Sequence, residues 1–204
     1  MVRQISLGCG AAALLILTGS LASFAADETN QYVGAEKCKS CHAAASKGDP
    51  YGVWLKSDHA KAFPTLATPE ALKSGATRNV AEPQKSPECL VCHETAFSAP
   101  ATQKSKKFDP TQGVQCESCH GPGGNHVKAR NNAEEEPGDK VVKVGKDEIV
   151  STPGPQVCIQ CHNEKSPNYK PFDYLTYLKK IVHLDPRRNH PADYLEQLAK
   201  AAKP

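Results

Sequence analysis

The sequence predicts a mainly α-helical protein of short helices and long loops, with minimal β structure, wrapped around groups that are not amino acids. Three observations predict it. The chain of 204 residues holds little of the apolar material that a domain normally packs inside. Its cysteines and histidines recur in one fixed pattern. Its clearest hydrophobic periodicities, near the C-terminus, are helical rather than alternating.

Composition sets the first segment apart. Arg3 is the only charge before Asp27, and Ala11-Ala12-Ala13-Leu14-Leu15-Ile16-Leu17 is the densest part of the apolar stretch between them. Ser23 and Ala25 then give the small-x-small pattern of a signal-peptidase site. Residues 1–25 therefore read as a signal peptide and 26–204 as a single domain. An uncleaved anchor is the alternative, but Gly, Ser and Thr dilute the run. Cys9 precedes the apolar core, where a lipoprotein cysteine would follow it, and it is discarded with the leader. Export follows, to the periplasm or to the cell exterior. No later run is apolar enough to span a bilayer.

The rest of the chain looks short of a core. Lys and Arg total 25 against 22 Asp and Glu, a balance that argues against a polybasic nucleic-acid binder. Residues 26–204 hold nine Leu, three Ile, twelve Val and four Phe, about 16% of that segment. Values under roughly 20% lean toward disorder when net charge is high. Here it is low, so either disulfides staple the fold or something apolar that is not peptide fills its middle.

The eight remaining cysteines decide between these. They fall as Cys38-Lys39-Ser40-Cys41-His42, Cys89-Leu90-Val91-Cys92-His93, Cys116-Glu117-Ser118-Cys119-His120 and Cys158-Ile159-Gln160-Cys161-His162. C-x-x-C-H is the attachment signature of c-type haem. Two thiols one helical turn apart each add to a vinyl group of one porphyrin, and the adjacent histidine binds the iron from below. Zinc ribbons do not require a histidine after every pair. Thioredoxin-like pairs need a βαβ pattern that is missing. Structural disulfides usually close longer loops. Four covalent haems follow, with His42, His93, His120 and His162 as proximal ligands. Each porphyrin buries several hundred Å² of apolar face, roughly 10 kcal/mol of gross stabilisation, which supplies the missing core.

Along the chain the four units are separated by irregular linkers. The stretch Trp54–Ala60 reads as helical. Residues 64–88, with four prolines and Gly75, read as a short helix with loops. Residues 94–115 form the shortest linker, and Gly121-Pro122-Gly123-Gly124 reads as a turn. In 131–156 the run Lys140-Val141-Val142-Lys143-Val144 is the one strand-like patch, pairing at most in a small hairpin with Asp147–Val150. Residues 171–183 and 190–201 read as helices. Leu175, Leu178 and Val182 share one face, Leu195 and Leu198 another. Pro171 and Pro191 suit first-turn positions, and Pro186 separates the two.

Four histidines are left over: His59, His126, His183 and His190. Their number equals that of the irons, which suggests histidine on both faces of each. His59 stands beside the only Trp. His126 follows the glycine-rich turn, which points it toward a haem other than that of His120. His183 lies on the inner side of its helix near Leu178 and Val182. His190 follows Arg187-Arg188-Asn189 in a polar loop, with three roles open: a ligand within the molecule, a ligand to a neighbouring molecule's iron, or a solvent-facing side chain. A methionine ligand is excluded, because Met1 is the sole methionine.

On particular segments the sequence resembles the tetrahaem cytochrome c-554 family. These are Trp54 with His59-Ala60-Lys61-Ala62, the run Gly113–Gly123 around the third motif, Ser166–Phe172, and Lys180-Ile181-Val182-His183. The resemblance covers about residues 32–185. It implies a mainly helical fold with haems in touching pairs. His126 would be distal ligand to the first haem, His59 to the fourth and His183 to the third. It also implies a second haem, at His93, without a protein ligand on its far side unless His190 supplies one. The sequence is similar in kind to tetrahaem cytochromes that polymerise into extracellular filaments.

The function expected is electron transfer between redox partner proteins, with no catalytic residue. Two alternatives stand beside it. One is an enzyme acting on a small nitrogen species at an open iron beside Cys89 and Cys92. The other is a homo-oligomer or filament subunit.

Overall fold

The computed structural model describes residues 29–132 and 142–201. The expected signal peptide, and Lys140 and Val141 of the strand-like patch, lie outside the described residues. The elements are short helices: α1 Ala35–His42, α2 Pro50–Lys56, α3 Ala62–Thr65, α4 Pro69–Ala76, α5 Pro87–His93, α6 Cys116–His120, α7 Gly124–Asn132, α8 Pro155–Cys158, α9 Tyr174–Ile181 and α10 Tyr194–Ala201. Among the described residues there is no strand. The only extended pairing is an isolated parallel bridge between Tyr32 and Lys104. No hairpin forms over the described part of 142–150, where residues 146–148 turn instead.

Local chemistry sets the helix ends. Proline opens α2, α4, α5 and α8, where its missing N–H costs nothing and its φ is already helical. Side-chain oxygens take the orphan amides at three starts. Asp49 accepts from Gly52 N at 2.9 Å, Thr68 from Ala71 N at 3.2 Å and Asp173 from Thr176 N at 2.8 Å. The last of these corrects the expectation for Pro171: Asp173 caps the helix, so α9 begins at Tyr174. Likewise α10 begins at Tyr194, three residues after Pro191. His59 is also not helical. The chain leaves α2 at Lys56 and turns through residues 58–61.

The apolar core is small. Tyr51 and Trp54 of α2 pack on Ala35 of α1, with Ala60 and Cys116 against them. Leu66 and Leu90 are the other buried large aliphatics among the described residues. Trp54 Nε1 donates to Val114 O at 2.8 Å, fastening α2 to the approach to the third motif.

Polar groups occupy the most buried positions. Thr95, Gln115 and Glu117 are 0%, 1% and 2% exposed. Thr95 Oγ1 donates to Gly113 O and accepts from Gln115 N. Gln115 Oε1 accepts from Ala35 N at 2.7 Å. The Glu117 carboxylate accepts from the amides of Val33, Gly34 and Gly123, at 2.8, 2.8 and 2.7 Å. Burial raises its carboxyl pKa, and those three amides pull the other way. This knot ties the start of α1, the second linker and the third motif into one unit.

Candidate haem-binding site

The first three C-x-x-C-H motifs each lie in a helix that ends on its own histidine, so α1, α5 and α6 deliver His42, His93 and His120 at a helix terminus. The fourth differs: α8 ends at Cys158, and His162 lies in the turns that follow. None of the eight motif cysteines is paired in a disulfide. The thiols of different motifs meet. Cys38 lies beside Cys116, and Cys92 beside Cys161. Cys119 lies near Cys158.

Three of the four leftover histidines face motif histidines. The His42 and His126 ring centres lie 6.1 Å apart, those of His59 and His162 6.1 Å, and those of His120 and His183 5.9 Å. An iron held by two imidazoles, with metal–nitrogen bonds of about 2 Å, puts the ring centres about 6 Å apart. A direct ring–ring stack would be closer, as in His162 on Phe172 at 5.0 Å. Each facing pair joins residues far apart in the chain, so the fold and not local sequence sets the spacing.

The hydrogen bonds of the other ring nitrogen fit the same chemistry. His93 Nδ1 donates to Ala62 O at 2.7 Å, His120 Nδ1 to Val150 O at 2.6 Å and His183 Nδ1 to Ile181 O at 3.0 Å. A carbonyl has no proton to give, so each Nδ1 carries the hydrogen and each Nε2 keeps a lone pair for a metal. His126 Nδ1 instead meets Glu148 Oε2 at 3.1 Å. Burial pulls His42, His59, His120 and His162 below the ordinary imidazole range, favouring the neutral form that a metal ligand requires. Arg130 Nε, Arg130 Nη1 and His190 Nε2 are buried with no hydrogen-bond partner. Orphaned donors of this kind mark places where a further group belongs. The donor set, its spacing and these orphans fit haem.

Two histidines fall outside the facing pairs. Among the described residues no ring faces His93. His190 packs on Tyr194 with ring centres 4.7 Å apart. Sequence reasoning found every facing histidine but missed the acceptors behind them. Two of those, Val150 O and Ile181 O, are main-chain oxygens, which no residue type announces. In the sequence Glu148 stands only within the Asp147–Val150 segment, and Glu117 only between two motif cysteines. A cleft of about 260 Å³, lined by Cys161, His162, Ser166, Tyr169 and Tyr177 among others, opens beside the fourth motif.

Residues 37–121 match the family described as Cytochrome c554 and c-prime. The chain is 36% identical over 129 residues to cytochrome c-554 of Nitrosomonas europaea, covering 60% of this chain and 51% of that protein. It is 30% identical over 117 residues to the multiheme cytochrome MtrA of Shewanella baltica, covering 52% of this chain and 33% of that protein. The chain thus spans about half the length of the first relative and a third of the second. No solved structure matches it. Among the described residues no helix is long and apolar enough to cross a membrane.

Proposed function

We propose that this chain, whose residues 37–121 match the cytochrome c554 and c-prime family, is a multihaem c-type cytochrome and an exported tetrahaem electron carrier. It exchanges electrons with redox partner proteins in the periplasm. Haem, when bound, supplies a one-electron iron couple whose potential the axial ligands and burial tune. The chain's own residues do the rest. Cys38 and Cys41, Cys89 and Cys92, Cys116 and Cys119, and Cys158 and Cys161 hold the four groups. His42 with His126, His120 with His183, and His162 with His59 hold three irons from both sides. Occupying both faces leaves no substrate position there, which suits a carrier. The observation that carries this reading is the set of three facing pairs near 6 Å, each joining a motif histidine to a leftover one.

The thiol contacts support an order for the relay. Cys38 beside Cys116 joins the first motif to the third, Cys119 near Cys158 the third to the fourth, and Cys161 beside Cys92 the fourth to the second. Electrons then run first–third–fourth–second, with the first and second motifs as the terminal exchange points.

His93 favours a second reading of one position. With its Nδ1 fixed on Ala62 O and no ring opposite, it leaves one face of its iron open to a small nitrogen species. Mass spectrometry and low-temperature electron paramagnetic resonance of the purified holoprotein test both readings. The carrier reading expects the polypeptide plus four haems, with three low-spin ferric signals. A high-spin fourth signal, altered by nitric oxide, supports the open site, whereas four low-spin signals remove it. Fewer than three low-spin signals, or a mass short of four haems, overturns the tetrahaem carrier.

A further inference from the structure

We infer that Glu148 is a positioning residue for His126 and sets the potential of the Cys38–Cys41 haem below that of the Cys116–Cys119 haem, whose two histidines both give their Nδ1 hydrogen to carbonyls. The inference rests on the proposed reading that His42 and His126 flank one iron. Its basis is a contrast among the histidines. His93, His120 and His183 give their Nδ1 hydrogen to neutral main-chain carbonyls, whereas His126 gives its own to a carboxylate. A negatively charged acceptor pulls harder on that hydrogen and leaves more electron density on Nε2, the nitrogen then left for the iron. A more basic ligand favours ferric over ferrous iron and so lowers the potential.

The geometry holds the carboxylate in place. Glu148 Oε1 accepts from Arg130 Nη2 at 2.9 Å and from Gly145 N at 2.9 Å, which leaves Oε2 for His126. Both side chains of the histidine–carboxylate pair are largely buried, His126 at 16% and Glu148 at 13% exposed, so water does not compete freely for the bond. Arg130 lies four residues, about one turn, beyond His126 on α7, so one short helix supplies both the ligand and the cation that anchors its acceptor. The acid itself comes from another segment, 22 residues downstream of the histidine. In the relay order proposed above, the first motif is an end of the chain. Added electrons therefore settle on the third-motif haem before they reach that end.

Redox titration of the holoprotein, followed haem by haem through its electron paramagnetic resonance signals, tests this. In Glu148→Gln the ferric-over-ferrous preference of one low-spin haem falls about tenfold, the lower end of what outer-shell partners contribute. For a one-electron couple that is about 59 mV upward. The other two signals stay in place. Glu148→Asp keeps the charge with a shorter reach and moves the same signal by less; it takes over the test should Glu148→Gln lose haem. In His126→Phe one low-spin signal disappears, and it is the one that Glu148→Gln moves. If Glu148→Gln moves no signal, or moves all three equally, the inference is overturned while the ligand reading stands. If His126→Phe keeps all three low-spin signals, the ligand reading itself falls.

Discussion

Residues 29–132 and residues 142–201 are built on different terms. Every fully buried residue that is described lies in the first segment, and none in the second. The first has a small core of Ala35, Tyr51 and Trp54 and a polar knot around Thr95, Gln115 and Glu117. The second has two amphipathic helices, α9 and α10, that lean on each other and bury no residue fully. Its aromatic side chains gather on His162 instead: Phe172 at 5.0 Å and Tyr177 at 5.3 Å between ring centres. The first segment is held partly by peptide. The second is arranged around the histidine of the fourth motif, which is proposed to hold a haem.

The largest test removes the group on which the second segment depends. In Cys158→Ser with Cys161→Ser the fourth haem is not attached, and its apolar burial, roughly 10 kcal/mol gross, is lost. Residues 142–201 then open, while 29–132 keep their structure. Limited proteolysis with mass mapping reads this as early cuts confined to the second segment. Cuts spread evenly over both would erase the distinction. Next in size is the reverse test. Trp54→Ala leaves a cavity beside Ala35 and Tyr51 and orphans Val114 O, at a cost of about 3–5 kcal/mol. Chemical denaturation reads it as a lower midpoint for the first segment.

The smallest effect belongs to a local pair in the second segment. Arg187 holds the Asp185 carboxyl down to about 2. The folded form therefore stays ionised at pH values where the unfolded chain already takes up a proton. The stability this gives is complete above about pH 4 and drains away as pH falls toward 2, and the pair is worth under about 1 kcal/mol. In Asp185→Asn that acid limb of the thermal-melting profile flattens and the neutral limb barely moves.

The two segments also differed in how far their residues disclosed the fold. The haem motifs were fully legible, because thioether attachment needs two thiols and a histidine at fixed local spacing. The candidates His59, His126 and His183 were legible as candidates, because few other residue types in this sequence suit an iron. The helices of the second segment were legible from Leu175, Leu178, Leu195 and Leu198, though Asp173 overrode Pro171 at one start. Which histidine faces which was not derivable from spacing, since the answer lies in loop closure across the whole chain; only family resemblance suggested the pairs that the fold brings together. The polar knot was hidden for a related reason. Glu117 and Thr95 look like solvent-facing residues until the segments that desolvate them arrive. Gly48 was missed as well. Its φ is +85°, and a Cβ there would sit 2.2 Å from Leu184 O, so the two segments touch where only glycine fits.

The carboxylate of Glu117 has a consequence for how the molecule comes into being. It grips amides 83 and 84 residues behind it, at Gly34 and Val33. A polypeptide emerges from the ribosome with its N-terminus leading, so the first binding motif is made long before its clasp exists. Closure therefore runs backward against the direction of synthesis. The earliest pair of thiols stays accessible to whatever machinery joins it to its porphyrin until more than half the chain has been delivered.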